Sequence, residues 1–291
     1  MQNKSISIIG LGALGSTLLK GLVHHGLKVR SIYSRHTQKT ESMSDEYNIS
    51  IWGKFPKSNE DLGDIVFLTV SDDAIEPVAR RLADLESHFE NEIFVHCSGV
   101  SSAGLLSPLK ERNAGTVSMH PLQTFNEQSD YRSFEDIFFS LQGDEDAFPV
   151  MTSISSALGA TAIPISEETK PYLHAAAVFA SNYLITLLDA AGKLATMGGL
   201  DEKQAVEMLI PLVQRTLHNV QLHGTDKALS GPVARGDVGT IQKHFQLIGD
   251  DHNLEKLYKV LGLETISIAR AKGTLGEKEE IQLKRIFEEE N

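Results

Sequence analysis

Residues Ser5–Ile9 form a short apolar run that stops at Gly10-Leu11-Gly12-Ala13-Leu14-Gly15, after which apolar residues recur at helical spacing to about His25. A strand that turns straight into a helix through glycines has three uses for the missing side chains: a tight turn, the close approach of a pyrophosphate to the backbone, and close helix–strand packing. The spacing alone carries little, because 23 glycines in 291 residues would produce it by chance roughly 0.1–0.2 times. The flanking strand and helix give it weight. Gly10, Leu11, Gly12, Ala13, Leu14 and Gly15 are therefore candidate cofactor-binding positions, with a plain glycine-rich turn as the structural alternative.

The rest of the first half repeats this strand–helix alternation. Strands are expected at Lys28–Tyr33, 49–52, 65–70, Ile93–His96, 116–119, 137–141 and 161–165, with helices over about 73–85 and 147–158. Residues 65–70 (IVFLTV) are apolar throughout, as a strand buried on both faces must be. Residues 34–48 are polar and fit no element by periodicity. Alternation of this kind predicts an α/β fold with a doubly wound, mostly parallel sheet covered by helices. After Ile165 no strand-like run appears. One long helix over 171–197 is expected to stop at Gly198-Gly199, followed by helices to about His223 and near Val238–Ile248, 253–272 and 277–289. The chain thus reads as an α/β domain over 1–165 and an all-helical domain over 166–291.

The end of the second strand bears on the choice of cofactor. An NAD site places an acidic residue there to bond the ribose hydroxyls. This sequence has Tyr33-Ser34-Arg35-His36. Ser34 can donate to a 2′-phosphate, and Arg35 can pair with it or stack on adenine, so NADP(H) is favoured over NAD, with a surface arginine in a variable loop as the alternative. The formal net charge of −12 argues against a nucleic-acid partner, which needs a basic face. It does not exclude a phosphate-bearing small molecule held by backbone amides. The single cysteine, Cys97, rules out an internal disulfide and a cysteine-rich zinc site; no metal is expected, and a cytoplasmic setting is the natural reading.

Ligands of an open parallel sheet gather at the carboxyl ends of its strands, which makes the residues just beyond them the candidates for chemistry. Residues 65–70 end at Val70-Ser71-Asp72-Asp73, where Val70 and Ser71 can line the nicotinamide ribose or Ser71 can cap the next helix; the aspartates read as caps. Phe94–His96 is followed by Cys97-Ser98-Gly99. A nucleophilic thiol needs a positioned base and an oxyanion site, so Cys97 reads as a small buried residue, and Ser98 and Gly99 as points of cofactor approach. His120, after the next strand, either faces the cleft as a proton donor or substrate-orienting group or bonds its own loop. On the long helix His174 and Ser181 share a face at 100° per residue, with Asn182 close by. Lys170 at the helix mouth opposes the helix dipole, which points to a role or to an ordinary exposed lysine. In the loop 229–237 Arg235 can hold an anionic group of a substrate, and Asp237 caps a helix.

Residues 171–188 contain no Asp, Glu, Lys or Arg, close to the minimum for a membrane-spanning helix. With His174, Ser181, Asn182 and Thr186 in it, the stretch reads instead as a helix buried in a soluble protein, and no membrane association is expected.

The glycine pattern together with His96-Cys97-Ser98-Gly99, Met119-His120-Pro121-Leu122-Gln123-Thr124-Phe125, the KPYLHAAAVFASNYL stretch and GPVARGD resembles a bacterial family of Rossmann-like, DUF2520-domain proteins that includes NADP oxidoreductases. The resemblance spans nearly the whole chain and implies a Rossmann domain followed by a helical substrate and dimerisation domain. More distantly the architecture is similar to pyrroline-5-carboxylate reductases, ketopantoate reductases, prephenate dehydrogenases and β-hydroxyacid dehydrogenases. In the last group and in ketopantoate reductases a lysine and an asparagine on the long helix serve the substrate. Their nearest counterparts here are Lys170 and Asn182, spaced more widely than in those enzymes, with His174 as an alternative for the lysine. His120-Pro121 is similar to the His-Pro of prephenate dehydrogenases, whose histidine lies near the nicotinamide. The Gly/Ser/Thr-rich substrate motif of pyrroline-5-carboxylate reductases is absent.

These readings combine into an expected function: an NADP(H)-dependent oxidoreductase acting on a C=O or C=N bond of a small, anionic metabolite. His174 or Lys170 would donate the proton, Asn182 and His120 orient the substrate, Ser181 and Arg235 contact it, and a homodimer form through the helical domain. A non-catalytic dinucleotide sensor or scaffold and an F420-linked reductase are the alternatives.

Overall fold

A computed structural model describes residues 4–86 and 88–288. It divides into two units, 1–181 and 182–291, so the boundary falls about a helix later than the one expected at 165. In the first unit the order is β1 (Ser5–Ile9), α1 (Ala13–His24), β2 (Lys28–Tyr33), α2 (Thr37–Tyr47), β3 (Ile51–Gly53), β4 (Ile65–Leu68), α3 (Asp72–Ala83), β5 (Ile93–His96), a one-turn α4 (Ser107–Lys110), β6 (Gly115–Pro121), β7 (Phe138–Gly143), α5 (Phe148–Ala157), β8 (Thr161–Pro164) and α6 (Thr169–Ala180). The polar segment that periodicity left unassigned holds α2. Its side chains are mostly exposed, with only Thr40, Met43 and Ser44 buried, too thin an apolar stripe to be read.

The eight strands form one sheet in the order β3-β2-β1-β4-β5-β6-β7-β8. All neighbours are parallel except β6 and β7, which run antiparallel. Alternate residues of the central strands feed two cores. Ile65 and Phe67 pack with Leu18, Leu19 and Leu22 of α1 and Met151 and Ile154 of α5. Val66, Leu68 and Phe94 pack with Ile75, Ala79 and Leu82 of α3. Burial on both faces explains why these strands read as unbroken apolar runs. The strand directions place the carboxyl ends of β1, β2, β4 and β5 along one edge.

The second unit contains α7 (Asn182–Met197), α8 (Glu202–Ala228), α9 (Val238–Ile248), α10 (His252–Lys272) and α11 (Glu277–Glu288), with no strand among its described residues. The remainder of the helix expected to 289 lies outside the described residues. Asp201 and Asp237 cap α8 and α9 by accepting from the amides of Gln204 and Thr240. The core of the unit is Val233, Ile241, Ile266, Leu283 and Phe287. Gly262 lets α10 approach α11, since any Cβ there would overlap the Phe287 ring. The α8 helix breaks at Gly224, whose φ is +79°, close to the expected end at His223.

The single helix expected over 171–197 is two helices. Ser181, at φ −120° and ψ −69°, leaves helical geometry between α6 and α7. Serine and asparagine side chains compete for local backbone groups and so favour helix ends, and the Ser181-Asn182 pair falls at the division between the units. Nor is the stretch buried in its own chain. Lys170 and Gly192 are the only buried residues of α6 and α7.

Candidate active site

The glycine loop separates into three tasks. Gly10 takes φ +108°, and a Cβ there would meet the Thr69 carbonyl oxygen at 2.7 Å. Gly15 sits against the Gly10 carbonyl, which also accepts a 2.6 Å hydrogen bond from Thr69 Oγ1. Gly12 is different: a Cβ there would touch nothing within 4 Å. Gly10 and Gly15 are therefore needed by the fold, whereas the space above Gly12, at the N-cap of α1, is free for an anion at a helix N-terminus. Leu11 is buried and Leu14 packs against the core, so any contribution these two make to a ligand comes from the backbone; Ala13 opens α1.

Beside this loop a cavity of about 280 Å³ is lined by Gly10, Gly12, Ser34, Arg35, Val70 and Ser71, among others. Ser34 is buried; its amide donates to the Gly53 carbonyl at 3.0 Å and its Oγ accepts from the His36 amide at 3.3 Å. Arg35 is exposed at the rim. Ser71 occupies the N-cap of α3 without capping it through its side chain, which leaves its hydroxyl to the cavity. The open cradle over Gly12 and the basic rim fit a dinucleotide phosphate.

A second cluster lies at the end of β5. His96 is fully buried, and its Nε2 donates to the Ser102 carbonyl at 2.9 Å while its Nδ1 accepts from the Ser98 amide at 3.2 Å. Burial pulls its imidazole down to about 4. Ser98 Oγ donates to Asp72 Oδ2 at 2.7 Å and accepts from the amides of Val100 and Ser101. The hydroxyl expected to meet a cofactor is thus committed to shaping its own loop, and Asp72, expected as a cap, anchors it. Cys97 is half-buried against the core, and desolvation pushes its thiol up to about 12, which favours the protonated thiol near pH 7.

Lys170 is 1% exposed, which removes the ordinary surface lysine from consideration. Its ammonium donates to the Ser98 carbonyl at 2.8 Å, and burial lowers it to about 8. The lysine joins the start of α6 to the end of β5. One turn further on, at i+4 and so on the same side of the helix, comes His174. Its Nδ1 is buried and has no hydrogen-bond partner. It overhangs Gly99, where a Cβ would run into that nitrogen and lie 3.0 Å from His120 Nε2. His120 Nδ1 donates to the Cys97 carbonyl at 3.1 Å, which leaves Nε2 as the free acceptor. Burial lowers His120 to about 4 as well, so it is a neutral imidazole near pH 7. The two rings are 5.9 Å apart at 72°. Gly99 is buried beneath them.

The structure therefore brings Lys170, His174, His120, Ser98 and Gly99 together. Ser181 sits at the break after α6, and Asn182 and Arg235 belong to the second unit. The single-helix face expected to unite His174, Ser181 and Asn182 is interrupted at Ser181. Sequence reasoning did not single out His96 or the bond from Ser98 to Asp72. The i, i+4 spacing of Lys170 and His174 was the one available signal for their partnership.

Residues 5–98 match the family described as NADP oxidoreductase, coenzyme F420-dependent, and residues 137–265 match DUF2520, a domain of unknown function. Among solved structures, the chain is similar to protein TM1727 from Thermotoga maritima, at 26% identity and TM-score 0.70 over 92% of this chain and 99% of that one. It is also similar to BF3122 of Bacteroides fragilis, proposed to be an NADP oxidoreductase, at 21% identity and TM-score 0.71 over 93% and 98%. The 1-pyrroline-5-carboxylate reductase of Streptococcus pyogenes shares the fold at 16% identity and TM-score 0.64 over 97% and 98%. No curated protein matches the sequence significantly. The chain thus combines a segment that matches the NADP oxidoreductase model with a later segment that matches the DUF2520 model, on a glycine-loop sheet followed by helices.

Proposed function

We propose that the protein is an NADP(H)-dependent reductase of a C=O or C=N bond in a small anionic metabolite, with His174 delivering the proton. The observation that carries this reading is the pair of ring nitrogens, His174 Nδ1 and His120 Nε2, aimed over Gly99 with His174 Nδ1 buried and unpartnered. A buried polar nitrogen without a partner is costly, and a substrate heteroatom placed there would satisfy it.

When bound, NADPH supplies a hydride to the electrophilic carbon. The π pair of the C=O or C=N bond then passes to the heteroatom, which must take up a proton. In this reading His174 Nδ1 gives that proton, and His120 Nε2, an acceptor, orients the substrate by taking a hydrogen bond from an N–H or O–H group on it. Lys170 acts as a positioning residue: its ammonium is committed to the Ser98 carbonyl and sets the register of α6 above Gly99. Gly10, Gly12 and Gly15 form the pyrophosphate loop, and Ser34 and Arg35 face the 2′-phosphate. A single free cysteine, Cys97, suits a cytoplasmic setting.

The helical unit leaves Ile185, Met208, Leu212 and Leu222 more than half exposed. Apolar surface on this scale supports a homodimer formed through these helices; a monomer by light scattering at micromolar concentration contradicts it.

The reading is tested by following NADPH oxidation over a panel of 2-keto acids and cyclic imines, with oxidised F420 as a separate arm because the family description names that coenzyme. At least one keto acid or imine should turn over, and His174→Asn should slow it about 100-fold or more while NADPH affinity is kept. Turnover of F420 alone, or tight NADPH binding with no turnover of any kind, would replace the reading with a deazaflavin-linked reductase or a dinucleotide sensor.

A further inference from the structure

The cavity beside the glycine loop contains a basic wall contributed by neither the loop nor the segment after β2. The parallel register pairs Tyr33 with Gly53, and Ser34 N donates to Gly53 O at 3.0 Å. The chain therefore leaves β2 at Ser34 and leaves β3 at Lys54 side by side. Lys54 and Phe55, and Arg81 of α3, line the cavity together with Gly10 and Gly12. On α3, Ala74, Val78 and Arg81 follow i, i+4, i+7 spacing and so present one face to this space.

The Arg81 guanidinium lies 3.8 Å from the centroid of the Phe55 ring, within cation–π range. Phe55 is in turn packed against the core beneath α3. A guanidinium held in this way against an aromatic ring offers a planar surface for stacking. The charge distribution points the same way. In a chain of net charge −12, the residues lining this cavity include Arg35, Lys54 and Arg81 and no carboxylate. Among the described residues, none of those three cations forms an ion pair. The depression at the opposite end of the strands contains Glu60, Asp64, Glu90 and Glu92. Acidic residues have thus been kept out of one cavity of an acidic protein.

In a dinucleotide-binding sheet the end of the second strand marks the adenosine ribose, so residues that line the cavity beside Ser34 flank the adenosine end. We infer that Lys54 and Arg81 are specificity residues for that end: Lys54 joins Arg35 in clamping a 2′-phosphate, and the Phe55-backed guanidinium of Arg81 forms the wall on which adenine stacks. This rests on the dinucleotide reading above and extends it to two residues that the glycine-loop fingerprint does not contain.

The test is calorimetric titration with two fragments, adenosine 2′,5′-bisphosphate and 5′-AMP, against wild type, Lys54→Met and Arg81→Met. The fragments differ only in the 2′-phosphate. Wild type should prefer the bisphosphate. Lys54→Met should weaken the bisphosphate about 10-fold, a charge-assisted contact being worth roughly that much, and leave 5′-AMP within about twofold. Arg81→Met should weaken both fragments alike, by about 5-fold or more, as loss of a stacking surface does. Both side chains are exposed, and unchanged melting temperatures would show that the fold is kept. A Lys54→Met variant that binds the bisphosphate as wild type does, or an Arg81→Met variant with undiminished binding of both, overturns the assignment of that residue. A wild-type protein that does not distinguish the fragments overturns the NADP reading itself, and this inference with it.

Discussion

His174 Nδ1 and His120 Nε2 approach one point above Gly99 from α6 and β6, their rings 5.9 Å apart and close to perpendicular. A methyl group at Gly99 would occupy that point. Gly99→Ala should therefore fold and bind NADPH within about threefold of wild type, since the glycine loop is untouched. It should lose about 100-fold or more in turnover by displacing His174 and excluding the substrate heteroatom. Fluorescence titration and steady-state kinetics separate the two effects; parallel losses in both would argue against a substrate position over Gly99.

Glycines of the phosphate loop should divide by what surrounds them. Gly15→Ala drives a methyl group into the Gly10 carbonyl and should destabilise the protein by about 2–4 kcal/mol. Gly12→Ala meets no protein atom; it should melt near the wild-type temperature while weakening NADPH about 10-fold or more by obstructing the pyrophosphate. Equal thermal stability of the two variants would contradict this division.

Stability should also fall in acid before carboxylates titrate. His96 is buried and neutral, lowered to about 4 from an ordinary 6.5. Below pH 6.5 the unfolded chain takes up a proton that the native state excludes, so this stabilisation is present above 6.5 and lost as pH falls towards 4. Between pH 6.5 and 5 the loss is about 2 kcal/mol for His96, and His120 acts in the same direction. Denaturant unfolding at pH 7.5 and 5.0 checks it. In His96→Asn the difference should shrink; an identical pH dependence in the variant would count against the assignment.

The first unit was legible because its strands are buried on two faces, which makes residues such as Val66, Phe67 and Leu68 apolar without interruption. The division of the chain was less so. Residues 171–197 have uninterrupted helical composition, and Ser181 alone gives no sign of a break on which two units part. Of the candidate site, the glycines and His120, His174 and Lys170 stood out as residue types in unusual places. Their roles did not, because roles depend on distances across β5, β6 and α6. Nothing in the one-dimensional pattern shows that Lys170 reaches the Ser98 carbonyl, or that Asp72 holds the Ser98 hydroxyl.

Lys170 itself offers a separable test of positioning against proton donation. Lys170→Met removes the tie to Ser98 and should lower turnover about 10-fold or more without moving the alkaline limb of the pH–rate profile, where a proton donor is lost by deprotonation. His174→Gln, which removes the proton donor itself, should cost about 100-fold or more. If Lys170→Met shifts the profile, the lysine takes part in proton transfer, contrary to the role assigned to it.

The proposed chemistry depends on which dinucleotide the glycine-loop sheet binds. Titration of the purified protein with NADPH and with NADH, repeated on Arg35→Glu, tests this most directly. The predicted result is a preference for NADPH of about 10-fold or more in wild type, as expected for a clamped 2′-phosphate, and loss of that preference in a folded Arg35→Glu variant. Equal affinity for both dinucleotides, or no binding of either, would contradict it.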